Sequence, residues 1–113
     1  MELLDKIRAS YQEKMSREPK AIVVPEWDAT IYVTPLTGLQ RDAIFKYVSE
    51  DKHFEASVEA IIQRSKDKDG KKLFAPAHKV VLMREMDPEV ADRLVSEMGT
   101  WDSDLSEDDV KNS

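Results

Sequence analysis

The segment AIVVPEWDATIYVTP, residues 21–35, limits the fold of this chain more than any other. Two short β-branched runs, Ala21–Val24 and Thr30–Thr34, flank Pro25-Glu26-Trp27-Asp28-Ala29. That is the pattern of an antiparallel hairpin with a loop of moderate length. Ile31 and Val33 then point to one face, and Tyr32 and Thr34 to the other. A two-stranded hairpin is marginal in water, so one face must lie on helices or on another chain.

Helical patterns surround it. Leu3, Leu4, Ile7, Tyr11 and Met15 recur at helical spacing over residues 2–16, and Pro19 marks the stop. The stripe is narrow, so this first helix, within residues 1–18, is expected at the periphery, on the body or on a partner. After the hairpin, Pro35 ends the strand and Thr37-Gly38-Leu39-Gln40 has capping-box spacing, with Thr37 as N-cap. Leu39, Ala43, Ile44, Tyr47 and Val48 should share one face, with Arg41 and Asp42 on the solvated side or at the strand–helix corner. Phe54, Val58, Ile61 and Ile62 predict a further helix over 53–65. The Asp69-Gly70 pair predicts a turn, after which Leu73-Phe74 should re-enter the core. Pro76 opens a helix bearing Val80, Val81, Leu82, Met83 and Met86. Asp87-Pro88 starts the last one, with Val90, Ala91, Leu94, Val95 and Met98 as its stripe and Gly99 as its stop. The expected architecture is α+β and mostly helical: a hairpin packed on about four helices in a single domain, residues 1–101.

Charge sets the tail apart. Residues 102–113 hold five acids and one base, hence −4 of the net −6, so an acidic, flexible tail is expected there. A pI near 4.9 argues against general nucleic-acid binding. The chain has 0 cysteines, which removes disulfides and thiolate metal sites. Its charged N-terminus has no secretory h-region, and no run suits a membrane span, so a cytoplasmic location is expected.

Catalytic and metal patterns fail one by one. With Gly70 at the sixth position of a calcium loop, Ser65, Asp67 and Asp69 occupy positions one, three and five. Lys72 and Pro76 then replace the apolar residue and the bidentate Glu, so a solvated turn is the better reading. His53 and His78 lack ligand spacing, and neither a nucleophile elbow nor a phosphate loop is present. Scattered carboxylates are the one feature an enzyme could draw on, as in any acidic chain. No cofactor is implied. Trp27 is either a lid over the core or an anchor for a partner, and Trp101 carries the same ambiguity. Met83, Met86 and Met98 could line an adaptable groove, although core filling is the commoner use of Met.

The pieces VPEW, IYVTPLTGLQRDAI and DKDGKKLF, followed by a helical pair and an acidic end, resemble the tail assembly chaperones of long-tailed bacteriophages and prophages. The resemblance runs over residues 20–113, and its PLTG..RD element is the most specific part. It implies a non-enzymatic factor in the host cytoplasm that coats the tape measure protein during virion assembly and is absent from the finished particle. Trp27, Tyr32, Met83, Met86, Met98 and Trp101 are the expected partner-binding residues, chosen on exposure. Pro35, Thr37, Gly38, Gln40, Arg41 and Asp42 are expected to build the corner. The resemblance also implies an extended form, made by ribosomal slippage, that recruits the major tail protein. Val110-Lys111-Asn112 can be encoded with a slippery A AAA AAC. Copies of the chain itself are a further partner to consider, and a minor virion component, such as a tail-completion or head–tail connector protein, is the alternative function.

Overall fold

The computed structural model describes residues 2–111, with side-chain surroundings for residues 2–99. Helix α1 (Glu2–Met15) leads to strands β1 (Lys20–Val24) and β2 (Ala29–Val33). Four helices follow: α2 (Gly38–Ser49), α3 (His53–Arg64), α4 (Lys79–Glu85) and α5 (Pro88–Lys111). The chain is α+β and mostly helical, as its periodicities indicate.

The hairpin is antiparallel, with Lys20 opposite Val33 at its open end and Val24 opposite Ala29 at its loop. Pro25–Trp27 forms a single 3-10 turn inside that loop, and Asp28 (φ 49°) takes the left-handed conformation that reverses the chain. Strand alternation decides the rest. Ile22, Val24, Ile31 and Val33 are buried on one face, while Val23 is 65% exposed on the other. The buried face rests on Ile61 of α3 and on Val90, Ala91, Leu94 and Met98 of α5, which together form the core.

Tyr32 plays a different part from the one its sequence position suggests. Its backbone exchanges hydrogen bonds with Lys66, at 2.9 and 3.0 Å, and Lys66 bridges onward to Lys72. The outer edge of β2 is thereby partly covered, which lowers its exposure as a pairing template. Tyr32 is half-buried. Arg64 is also drawn in, donating from Nη2 to the Thr34 carbonyl at 3.1 Å.

The strand-to-helix corner follows its local chemistry. Pro35 is fully buried, and the Gln40 N–H donates to Thr37 Oγ1 at 3.1 Å. The Thr37 N–H in turn donates to Gln40 Oε1 at 3.0 Å, completing the capping box. Gly38 is the first helical residue, Arg41 lies over the Phe45 ring at 5.3 Å, and Asp42 is exposed. The stripe expected on α2 is only half met. Ala43, Ile44 and Tyr47 are partly buried, but Leu39 is 85% and Val48 38% exposed.

The last helix corrects one expectation. Asp87 caps α5, accepting from the Glu89 N–H at 2.9 Å, as the Asp-Pro pair indicates. Gly99 does not end it: α5 continues to Lys111, through most of the segment expected as a flexible tail. Gly99 lacks the left-handed conformation that a terminating glycine needs, which Gly70 (φ 87°) does adopt in its turn.

Helix α1 stands apart. Glu2 and Asp5 in its first turn and Lys14 in its last suit the helix dipole, and its residues are mostly good helix formers. Yet no residue of α1 is buried.

Candidate functional site

An apolar cleft of ≈ 550 Å³ opens at the loop end of the hairpin. Trp27, Ala29 and Ile31 form one wall, Leu73 and Phe74 another, and Val81, Leu82, Met86 and Val90 complete it from α4 and α5. Its rim bears Glu26, Glu85 and Asp87, with no basic residue in the lining.

Local structure explains why apolar surface is left open here. Val80, Val81, Leu82 and Met83 are four consecutive residues, which on a helix sweep most of its circumference. They cannot all face the core. Leu82 and Met83 are partly buried, whereas Val80 is 60% and Val81 50% exposed. Leu73 does not return to the core as its sequence position suggests. It stays 40% exposed at the cleft, while Phe74 is partly buried and meets the His78 ring edge-on.

Two ionic devices hold the walls. Arg93 of α5 grips Glu26 with two hydrogen bonds, Nη1 to Oε2 at 2.6 Å and Nη2 to Oε1 at 2.8 Å. This bidentate bond pulls the Glu26 carboxyl down to about 2. Because Trp27 is the next residue, the clasp fixes the tryptophan's approach to the core. On the other side, Lys79 donates to Tyr47 Oη at 2.8 Å and pairs with Glu55 at 2.8 Å and Glu59 at 3.4 Å. Burial opposes the Lys79 charge, but these bonds outweigh it and raise its pKa. The start of α4 is thereby tied to α2 and α3.

The residues singled out from the sequence scatter. Trp27 and Met86 reach the cleft, Met86 being only 9% exposed. Tyr32 lies on the other face of the sheet, and Met83 is absent from the lining. Met98 is wholly buried in the core, so its expected exposure to a partner is wrong. Its helix position points inward, toward Ile61 and the hairpin, where a flexible thioether fills space. The Trp101 side chain lies outside the described residues. Conversely, Val81 and Leu82 were read only as apolar members of their helix and not as site residues, and the Glu26–Arg93 clasp was not read at all. The overfull apolar run at 80–83 was the one available signal.

The loop with partial calcium-ligand spacing is a hydrogen-bonded turn. Asp67 Oδ1 accepts from the Asp69 and Lys71 backbone N–H groups, at 2.8 and 2.9 Å. His78 Nδ1 accepts from the Ala75 N–H at 3.0 Å, and His53 Nε2 meets Asp51 Oδ1 at 2.8 Å. Both histidines therefore serve helix ends. Among the described residues no group of three His, Asp or Glu is placed to hold a metal ion.

No protein-family model matches the chain, and no curated protein matches it significantly. Among solved structures, it is similar to the bacteriophage HK97 tail assembly chaperone, with a TM-score of 0.62. The superposition covers 85% of this chain and 92% of that one, at 21% sequence identity. The chain shares the fold of that protein. Among its described residues, no helix is long and apolar enough to cross a membrane.

Proposed function

We propose that this protein is a phage tail assembly chaperone that works without catalysis, covering apolar helical surface on the tape measure protein during tail assembly. The observation that carries this reading is the open apolar cleft beside Trp27 in a chain with this fold. A long helical rod offers apolar stripes at i, i+3, i+4 and i+7, and a cleft walled by Trp, Phe, Leu, Met and Val suits such a stripe. Aromatic and methionine side chains adapt to many stripes, which fits a client with a repetitive surface. The work takes place in the host cytoplasm, and the chaperone leaves before the particle is complete. An extended form made by slippage at Val110-Lys111-Asn112 would bring in the major tail protein; a Lys111 codon of AAG in the gene would remove the heptamer it needs.

Co-expression with the long tape-measure reading frame of the same phage or prophage tests the main reading. The expected result is a soluble complex, with the chain missing from purified particles. An insoluble client with no recoverable complex overturns it. Detection of the chain in finished virions would instead make it a minor structural component.

A further inference from the structure

We propose that the outer edge of β1 takes up an extended apolar segment of the client as an added strand. This rests on the reading of the protein as a client-holding chaperone, and it adds how client main chain outside the cleft is held.

The hydrogen-bond parity of the hairpin leads to this. In an antiparallel ladder, opposed residues either bond to each other or both turn their N–H and C=O groups outward. The Tyr32 backbone bonds outward to Lys66, so Ala21, its partner across the ladder, faces outward as well. Val23, two residues on and opposite Thr30, does the same. The two edges then differ. On β2 the outward groups of Tyr32 are taken by Lys66, whereas among the described residues no protein group bonds to those of Ala21 and Val23.

The β1 edge also lacks the usual guards. Edge strands are commonly blunted by a proline, a charged side chain or a bulge. Ala21-Ile22-Val23-Val24 has none of these, and its register with β2 is unbroken. Ala21 and Val23 are both exposed.

The chemistry of this edge selects its occupant. Two donors and two acceptors, repeating about 6.8 Å apart along β1, match an extended main chain. A helix cannot offer their counterparts, because its own ladder uses its backbone groups. The charges at both ends are engaged: Lys20 Nζ donates to the Glu97 carbonyl at 2.9 Å, and Glu26 is clasped by Arg93. Only apolar side chains lie between them along the strand, so an uncharged apolar segment fits. The edge is also continuous with the cleft. β1 ends at Val24, and Glu26 and Trp27 of the cleft lining follow within three residues. A client whose helical stripe sits in the cleft can therefore run its neighbouring extended stretch along β1 without leaving the surface. Main-chain pairing supplies the hold whatever the side chains, which suits a long client with many such stretches.

The test is backbone hydrogen exchange at single-residue resolution on the full-length chain, free and in complex with the co-expressed tape measure. In the free protein the Ala21 and Val23 amides should exchange fast, and those of Ile22 and Val24, which donate across the ladder, slowly. In the complex Ala21 and Val23 should slow at least tenfold. A second arm uses Val23→Pro, which deletes an outward N–H and leaves the bonds to β2 whole. It should melt close to wild type and lose at least tenfold in client affinity; should it misfold, the exchange arm still decides. A complex in which Ala21 and Val23 remain fast overturns the proposal, as does normal capture by folded Val23→Pro, and either result leaves the cleft reading standing. Slow exchange at both residues in the free protein, rising with concentration, also overturns it, because a second copy then fills the edge. If no complex forms at all, the chaperone reading itself fails and takes this inference with it.

Discussion

The pair Glu26 and Arg93 sets the character of the cleft at the smallest scale. Both side chains are about two-fifths exposed, so water and salt weaken the bond, yet its two-point geometry resists rotation. Its purpose is positional: it holds the Pro25–Trp27 turn against α5. Arg93→Ala should therefore leave the fold intact but free Trp27, seen as a red-shifted and more quenchable emission in a Trp101→Phe background. An unchanged Trp27 spectrum would mean that core packing alone places the ring. The pH dependence has a definite sign. Glu26 has a folded-state pKa depressed from 4.5 to about 2, so the clasp contributes fully above the ordinary carboxylate range. That contribution fades as the pH falls from 4.5 through about 2. The stability difference between wild type and Arg93→Ala should shrink over that window and vanish below it, and shrink in high salt at neutral pH. Thermal melts at matched ionic strength would measure both. The two partners stand 67 residues apart, with no local pattern to announce their meeting.

Elements show where local chemistry suffices and where it misleads. The capping box at Thr37 satisfies two backbone donors of the first α2 turn, so Thr37→Ala should cost about 1 kcal/mol in denaturant unfolding. Gly70 needs its left-handed backbone, and Gly70→Ala should destabilise by roughly 1 kcal/mol through backbone strain alone. Gly99 is the opposite case. It sits inside α5, and a Cβ added there meets nothing within 4 Å. Gly99→Ala should stabilise the protein by about 0.5–1 kcal/mol, where a terminating glycine would have lost stability. The same glycine thus reads as a stop in sequence and proves to be an interior residue, because one weak position does not end a helix whose next turns are themselves helical.

At the scale of the molecule, one small core serves two purposes. Ile22, Val24, Ile31 and Val33 meet Ile61, Ala91, Leu94 and Met98, and that contact converts a marginal hairpin into a rigid wall. Leu94 is fully buried at its centre, so Leu94→Ala should cost about 2–5 kcal/mol and reduce client capture through global unfolding. Trp27→Ala should behave differently, lowering client capture while most of the fold's stability is kept. Equal loss of capture and stability in Trp27→Ala would make the ring a core residue and not a contact.

Periodicity alone was enough to divide this chain into one hairpin and a set of amphipathic helices, because alternation and the 3.6-residue turn are local consequences of backbone geometry. Caps and turns at Thr37, Gly70 and Asp87 were legible for the same reason: each hydrogen bond closes within a few residues. The cleft was not. Its walls come from the hairpin loop, the 73–74 segment, α4 and α5, and which half of an apolar run faces outward depends on how those elements pack. Met98 and Val81 show the limit plainly. Both are apolar residues on helices, one wholly buried and the other half exposed, and the choice rests on contacts between elements far apart in sequence.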